Sequence, residues 1–248
     1  MKNNDLIYGI HPVMEAVLAG RELEKVMIQK GLTGDNARVL KALLAEKGIT
    51  YQPVPPEKLN RLVRGVHQGV VAFVSQVTYQ NIEDILPFVY EQGEVPFILV
   101  LDRVTDVRNF GAVARSAECA GVHAIIIPAR ESALITGDAI KTSAGALSRL
   151  LICKVPNLKD TLNYLQDSGL TLFAVTEKAQ ESFYSVDFRV PAALILGSEE
   201  DGVSPELIRM ARHLVHIPMK GEIGSLNVSV AAALTMYELV RQRNEVEG

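Results

Sequence analysis

Cysteine is scarce in this sequence of 248 residues, with only Cys119 and Cys153 present. Both stand in apolar surroundings, and neither belongs to a CxxC pair or lies beside histidines. Two such cysteines argue against a disulfide framework and against a zinc site. We therefore predict a reducing compartment and no metal centre.

Long apolar segments are missing as well. No uninterrupted apolar run approaches the roughly 18 residues that a membrane-spanning helix needs. The opening residues, MKNNDLIYGIHPV, contain neither the apolar core of a signal peptide nor an Arg-rich amphipathic presequence. Hydrophobic residues still make up 48% of the chain, which is ample for a buried core. These features predict a soluble cytoplasmic protein without a membrane partner.

The glycine-rich loops of the common nucleotide-binding folds are also absent. No two of the eighteen glycines are two positions apart, which excludes GxGxxG and the related turn of ordinary Rossmann-type methyltransferases. The GxxxxGK[ST] pattern does not occur either. The sequence thus argues against NAD, FAD and P-loop chemistry.

Charge is distributed unevenly around a net value of −4. Residues 1–77 carry ten Lys or Arg against seven Asp or Glu, whereas residues 78–95 carry four acidic residues and no basic one. A mildly basic segment in an acidic protein permits contact with phosphates without requiring it. A short predicted helix carries a basic residue at every third position: Lys58, Arg61 and Arg64. On one helix face these residues would form either a solvated surface stripe or a contact with an RNA backbone.

The pattern of elements divides the chain into three parts. Residues 1–77 alternate short helices and strands, and residues 78–95 have the character of a linker with a short helical portion. From residue 96 onward, near-continuous apolar runs bounded by Gly and Pro alternate with helical patterns, which is typical of parallel strands covered on both faces. We predict an α/β protein, with a small N-terminal domain and an open parallel sheet over residues 96–248. The apolar runs are 97–101, 124–128, 151–156, 171–175, 192–197 and 214–218.

The first of three unusual loops follows the strand at 97–101. Asp102 and Asp106 come after the strand, Asn109 fits the N-cap of the next helix, Gly111 keeps its first turn open, and Arg115 lies one turn inside. A helix N-terminus with an arginine beside it would favour a backbone phosphate. A capped helix with a salt-bridged arginine explains the same residues.

The second and third loops place polar residues at the ends of buried elements. Gly197, Ser198 and Glu199 stand at a strand exit, where a carboxylate loses solvation unless it has a polar partner. Ser225 and Asn227 run without a spacer into an alanine-rich apolar helix. Ordinary helix capping accounts for the last two equally well. Since ligands of open α/β sheets bind where strands end in loops, all three loops are candidates for one site.

Together the three loops resemble the SpoU/TrmH family of RNA ribose 2′-O-methyltransferases. The matching motifs are DxxxDxxNxGAxxRSA at 102–117, LxLGxExxGxS at 194–204 and IPMxGxxxSLNVSVA at 217–231. In the N-terminal part, YGIHPVMEAV (8–17) and RGVHQGVVA (64–72) resemble the substrate-binding domain of the RlmB type, which methylates large-subunit ribosomal RNA. One departure is Val107, where the family commonly has proline and the turn is therefore stiffer.

The resemblance implies a fold and a cofactor. The C-terminal domain would be a SPOUT domain with a deep trefoil knot, and the N-terminal domain would be small and L30e-like. The knot would form the pocket for S-adenosyl-L-methionine, and the alanine-rich helix would help to form a homodimer. The residues expected at the cofactor by position are Gly197, Ile217, Leu226, Glu199 and Ser225.

The resemblance also implies a reaction, the transfer of a methyl group to a ribose 2′-hydroxyl in RNA, foremost a guanosine of large-subunit ribosomal RNA. Family accounts make the arginine at position 115 central to activating the hydroxyl. Because a free arginine has a pKa above about 12, we prefer Arg115 as a clamp on the neighbouring phosphate that also stabilises the developing alkoxide, rather than as the base. Asn109 and Glu199 would orient Arg115 and the substrate, and Ser225 and Asn227 would complete a polar wall. A transfer-RNA methyltransferase of the same family and a non-catalytic RNA-binding assembly factor are the alternatives.

Overall fold

A computed structural model describes residues 6–245 of the chain, which divide into two compact units. The N-terminal unit extends to Thr78 and includes Leu134–Gly137. The C-terminal unit comprises Tyr79–Ala133 and the described chain from Asp138.

A four-stranded sheet with helices on both faces forms the N-terminal unit. Its strands are β1 (Leu6–Tyr8), β2 (Leu23–Gln29), β3 (Tyr51–Val54) and β4 (Val70–Val74), and its helices are α1 (Ile10–Leu18), α2 (Asp35–Glu46) and α3 (Pro56–Leu62). The strand order is β1-β4-β2-β3. Because side chains alternate along a strand, Val26 and Ile28 of β2 pack under α1 and α2, whereas Met27 packs with Leu59 of α3.

The three predicted basic residues do not form one helical stripe. Lys58 and Arg61 lie on α3, but that helix ends at Leu62 and its C-cap, Val63, has an extended backbone. Arg64 therefore follows the helix, and the prediction that all three share a helix face is wrong. All three side chains are exposed.

Seven parallel strands form the sheet of the C-terminal unit, as the apolar runs predict. The strands are β5 (Phe97–Leu101), β6 (Ala124–Pro128), β7 (Leu151–Val155), β8 (Thr171–Val175), β9 (Glu181–Ser182), β10 (Ala192–Leu196) and β11 (His213–His216). The helices are α4 (Ile82–Glu91), α5 (Val107–Cys119), α6 (Gly137–Thr142), α7 (Leu158–Asp167), α8 (Pro205–Met210) and α9 (Val228–Asn244), with a short 3₁₀ turn at Ala146–Ser148. Only β9 was missed, because two residues carry no periodic signal.

The strand order, β7-β6-β5-β10-β8-β11-β9, places a switch point beside β5. The chain leaves β5 toward one edge through β6 and β7, and later returns to place β10 on the other side of β5. Crevices at the carboxyl ends of strands flanking such a point are where open α/β sheets bind ligands. The knotted threading that the resemblance implies stays a prediction, because strand order and register do not define a thread.

Helix α4 lies within the segment predicted to be a linker. Residues 78–95 were expected to be a linker with a short helical portion, yet α4 spans ten residues and buries Ile82, Ile85, Leu86 and Val89. These side chains belong to the same core as strand residues of β5 and β6. The acidic charge and Pro87 suggested a connector, but a regular apolar face packs the helix onto the sheet. In the part of the chain described here, no helix combines the length and apolar character needed to cross a membrane.

The last helix, α9, is anchored through the half-buried guanidinium of Arg243. Arg243 donates hydrogen bonds of 2.8–3.3 Å to four backbone carbonyls and lies 5.5 Å from the ring of Phe97. The carbonyls belong to Val95, Pro96, Phe188 and Val190. Burial lowers the pKa of Arg243 to about 10, so the group remains charged at neutral pH.

Replacing this arginine is expected to weaken the C-terminal unit. In Arg243→Met the four carbonyls lose charged donors, and we expect the free energy of unfolding to fall by about 2–4 kcal/mol. Urea unfolding followed by circular dichroism measures the change. Arg189→Met is the matched control, because Arg189 pairs with Asp187 at the surface and such pairs contribute less than about 1 kcal/mol. Equal losses in both variants would contradict the anchoring role.

Candidate active site

Two adjacent cavities lie at the carboxyl ends of the central strands. The first, about 340 Å³, is lined by the exits of β8, β10 and β11 and by the start of α9. The second, about 330 Å³, is lined by the exit of β5, the start of α5 and the loop after β10. Both are lined by Ser198, Glu199, Glu200 and Val228, so the loop after β10 is their common wall.

A tight turn forms this common wall. Gly202 donates its backbone N–H to the Ser198 carbonyl at 3.0 Å, and Asp201 donates its N–H to the Ser198 hydroxyl at 3.1 Å. Ser198 and Gly202 also form an isolated β-bridge. The turn therefore projects Glu199 and Glu200 from its tip.

Glu199 is held by two asparagines from other loops. One oxygen of its carboxylate accepts hydrogen bonds from the side-chain amides of Asn109, at 2.8 Å, and of Asn227. The Asn227 amide also donates to the Asn109 carbonyl oxygen at 3.1 Å. The structure thus brings together one residue from each of the three loops, although 118 positions separate the outer two.

Asn109 is not the cap of helix α5, contrary to expectation. Asp106 is the N-cap, and one of its carboxylate oxygens accepts the backbone N–H groups of Arg108 and Asn109. Val107 takes the first helical position, where proline is favoured but not required. Because Asp106 caps the helix, the side chain of Asn109 is free to bond to Glu199.

Asn227 fulfils both of the roles that the sequence left open. Its side-chain oxygen accepts the N–H of Ser229 and so caps α9, while its amide group faces Glu199. Gly111 has a packing role instead of an open first turn. A Cβ at Gly111 would lie 2.7 Å from the Thr142 side chain and 3.1 Å from the Ala139 carbonyl oxygen, so α6 approaches α5 here.

Arg115 does not join this polar group. Its side chain is exposed on α5, and it lines neither cavity. Arg115 lies six positions after Asn109, which in a helix means a rise of about 9 Å and directions about 120° apart. The two side chains therefore leave α5 on different sides. The guanidinium of Arg115 does not lie beside Glu199 of the same chain.

The five residues expected at the cofactor all line the first cavity: Gly197, Glu199, Ile217, Ser225 and Leu226. Sequence reasoning missed Thr176 and Glu177, which line it from the exit of β8. The signal was available, because a polar segment follows an apolar strand there as it does after β10. The predicted substrate residues Lys58, Arg61 and Arg64 belong to the N-terminal unit.

The charged residues that line the first cavity are all acidic. Its charged lining consists of Glu177, Glu199 and Glu200, without any lysine, arginine or histidine among the described residues. Apolar side chains such as Leu196, Ile217 and Leu226 form much of the remaining wall. Across residues 6–245, no group of three or more His, Cys, Asp or Glu side chains is arranged to hold a metal ion.

Comparison with known proteins gives these residues a family. Residues 96–237 match the SpoU rRNA Methylase family, and residues 6–80 match the family described as RNA 2′-O ribose methyltransferase substrate binding. The chain is 38% identical over 97% of its length to the 23S rRNA (guanosine-2′-O-)-methyltransferase RlmB of Yersinia pestis, covering 98% of that protein. It is 36% identical over 99% of its length to the putative TrmH family tRNA/rRNA methyltransferase YacO of Bacillus subtilis, again covering 98%.

Solved structures agree with this assignment. The SpoU methyltransferase AviRb of Streptomyces viridochromogenes, in complex with AdoMet, aligns with a TM-score of 0.61 at 26% identity and covers 98% of this chain and 91% of its own. A structure described as RNA 2′-O ribose methyltransferase aligns with a TM-score of 0.57 at 28% identity, covering 96% and 88%. The chain belongs to the SpoU/TrmH family of RNA 2′-O-methyltransferases, and its C-terminal unit has the SPOUT fold.

Proposed function

We propose that this protein transfers a methyl group from S-adenosyl-L-methionine to the ribose 2′-hydroxyl of a guanosine in large-subunit ribosomal RNA. The N-terminal residues 1–77 would bind the RNA, and residues 96–248 would carry out the reaction. The observation that carries the proposal is the charge of the first cavity, whose three carboxylates lack a basic partner in the lining.

The first cavity fits S-adenosylmethionine better than a phosphate-bearing nucleotide. Its volume of about 340 Å³ falls in the range of small-molecule sites. Carboxylates without nearby cations would repel the phosphates of NAD or ATP, but they favour a ligand that carries sulfonium and ammonium charges. Leu196, Ile217 and Leu226 offer apolar walls for an adenine ring.

Glu199 and its two asparagines are the centre of the proposed chemistry. S-adenosylmethionine supplies an electrophilic methyl group, and the ribose 2′-hydroxyl is a poor nucleophile that needs alignment and help with its proton. Glu199 lines both cavities, so its carboxylate lies between the proposed sites of donor and acceptor. Asn109 and Asn227 fix that carboxylate, which would accept a hydrogen bond from the ribose hydroxyl. Ser225 completes the wall on the side of the first cavity.

The phosphates of the substrate belong outside the second cavity. Its lining has five carboxylates, and its arginine, Arg103, is already paired with Asp102 and Asp201. A phosphate would be repelled there, whereas a ribose hydroxyl would not. The exposed Arg115 is better placed to hold a phosphate at the surface, which supports its role as a clamp and not as the base.

A transfer assay on defined RNAs tests the proposed function. The protein is incubated with S-adenosylmethionine carrying a labelled methyl group and with protein-free 23S ribosomal RNA, and the product is mapped by resistance of the 2′-O-methylated linkage to alkali. We expect one labelled guanosine. A second candidate, methylation of transfer RNA, is favoured by the name of the YacO relative, so a transfer-RNA arm is included. No transfer to either RNA, despite cofactor binding, would leave the non-catalytic assembly factor.

The basic residues of the N-terminal unit are expected to contact the RNA backbone. Replacing Lys58, Arg61 and Arg64 together with alanine would remove up to three phosphate contacts. For single-stranded RNA, the slope of log K against log salt should then fall in magnitude by about 2. Filter binding at several salt concentrations measures the slope.

The control for this variant is Arg38→Ala with Lys47→Ala. These basic residues pair with Asp35 and Glu46, so their charge is already compensated locally. We expect the control to keep the wild-type slope. An unchanged slope in the triple variant would show that its three residues form only a solvated surface.

We also propose that a second copy of the chain covers helix α9. Val230, Leu234 and Tyr237 are 45%, 44% and 49% exposed, and their spacing of four and three residues aligns them on one face of α9. The homodimer implied by the family resemblance would bury this stripe. Leu234→Glu is therefore expected to shift a dimer to the monomer in sedimentation-velocity experiments. Val39→Glu, which alters a 52% exposed valine on α2, should leave the assembly unchanged. A monomeric wild-type chain would refute the proposal.

A further inference from the structure

Arg103 has an unusual backbone and an unusually engaged side chain. It follows β5 with a φ of 58°, in the left-handed region that side-chain-bearing residues rarely adopt. Such a conformation costs about 1 kcal/mol or more and persists only when the surroundings hold it. The guanidinium is 26% exposed and lies at the second cavity. No role for it follows from the three motifs.

The guanidinium of Arg103 connects two of the three loops. Its Nε and Nη2 donate to the Asp102 carboxylate at 3.1 and 3.2 Å, its Nη1 donates to Asp201 at 3.0 Å, and its Nη2 donates to the Gly202 carbonyl at 3.0 Å. Asp102 is 4% exposed and also accepts the backbone N–H of Ser204 at 2.7 Å. These hydrogen bonds link the exit of β5 to the turn after β10, and we call this set of contacts the clasp.

These contacts leave Arg103 little capacity for a ligand. A guanidinium has five N–H donors, and four of them are used within the chain. The hydrogen bond to Asp102 is the main cause of the raised pKa of Arg103. Although Arg103 lines the second cavity, its chemistry is that of a fixed support and not of a phosphate-binding group.

The clasped turn is the wall that both cavities share. Asp201 and Gly202 lie in the turn whose tip carries Glu199, and the Ser198–Gly202 bridge joins the two ends of that turn. Displacing Gly202 would therefore displace Glu199 relative to Asn109 and Asn227, which belong to other elements. A misplacement of about 1 Å at a reacting group is enough to slow a reaction by about 100-fold.

We propose that Arg103 is a positioning residue that holds the 198–202 turn, and with it Glu199, at the junction of the two cavities. It acts through the turn and does not touch the RNA. This inference rests on the proposed function for its kinetic consequence, but the clasp itself is measurable without activity.

Two variants test the clasp. Arg103→Gly removes the side chain and suits the left-handed backbone, and Asp201→Asn weakens only the outer contact, at a side chain that is 70% exposed. We expect kcat to fall about 10- to 100-fold in Arg103→Gly while KM for RNA stays within twofold. Asp201→Asn should lower kcat about threefold, and the double variant should be no slower than Arg103→Gly. Arg103→Lys should recover only part of the rate, because an ammonium lacks the guanidinium fork.

Hydrogen exchange separates this inference from the proposed function. In Arg103→Gly the amides of residues 198–204 should exchange at least tenfold faster, with unchanged protection in α9 and β5. If wild type transfers no methyl group, the proposed function fails, yet the exchange result still decides whether the clasp exists. A wild-type kcat with a raised KM for RNA, additive effects of the two substitutions, or unchanged exchange would each overturn the positioning role.

Discussion

Substituting alanine for Gly197 is expected to abolish binding of S-adenosylmethionine. A Cβ at this position would lie 1.9 Å from the carbonyl carbon of Gly202 and 2.1 Å from the Gly202 oxygen and from the Val203 nitrogen. All three are backbone atoms of the turn that separates the cavities or of the residue after it, so none can move aside as a side chain does. The methyl group would force the turn away from the exit of β10. We expect cofactor affinity to fall by more than about 100-fold, equal to roughly 2.7 kcal/mol, and methylation to be lost with it.

The measurement is isothermal titration of the folded variant with S-adenosylmethionine. Gly221→Ala is the matched control, because Gly221 lies in the third loop, has no left-handed φ, and meets nothing within 4 Å of an added Cβ. It should bind the cofactor like wild type. Circular dichroism verifies that Gly197→Ala keeps its secondary structure. Full affinity in the folded Gly197→Ala variant would mean that the turn after β10 does not shape the cofactor site.

Some of this architecture was predictable from local patterns. Six apolar runs gave six of the seven parallel strands, because strands buried on both faces need side chains such as those of FILVL at 97–101. The three strand-exit loops could be placed at one edge, since parallel strands point their carboxyl ends the same way. What local patterns lack is the strand order. That β10 enters between β5 and β8 depends on long-range packing, and only this insertion brings Glu199 to Asn109.

Within the site, too, some features follow from local sequence and others depend on long-range packing. Asp106 and Asn109 are both good capping residues, and sequence alone does not decide which one caps α5. The structure assigns the cap to Asp106, which leaves Asn109 for Glu199. Four acidic residues at 78–95 indicated a linker with a short helical portion, but the sequence did not show that this helix, α4, packs an apolar face on the sheet. The sequence does not indicate a role for Arg103, because it shows neither the left-handed backbone of this residue nor its distant hydrogen-bond partners.

Arg115→Ala is expected to abolish methylation while cofactor binding stays within twofold of wild type. Binding should persist because Arg115 does not line the first cavity. The rate should fall because this exposed guanidinium is the proposed clamp on a substrate phosphate outside the two cavities. Without the clamp the target ribose is held less accurately, and a misplacement of about 1 Å is enough to slow a reaction by about 100-fold. Single-turnover transfer at saturating S-adenosylmethionine measures the effect, and titration calorimetry measures cofactor binding.

Two comparisons make this prediction specific to the guanidinium. Arg115→Lys keeps the charge but loses bidentate contact with a phosphate, so it should restore the rate only in part. Arg149→Ala is the matched control, since this 78% exposed arginine pairs with Glu118 of α5, the helix that carries Arg115, and its charge is compensated there. It should retain full activity. Because the two cavities are lined by carboxylates, substrate phosphates need a cation outside them. Full turnover by Arg115→Ala would therefore require another basic residue to supply it.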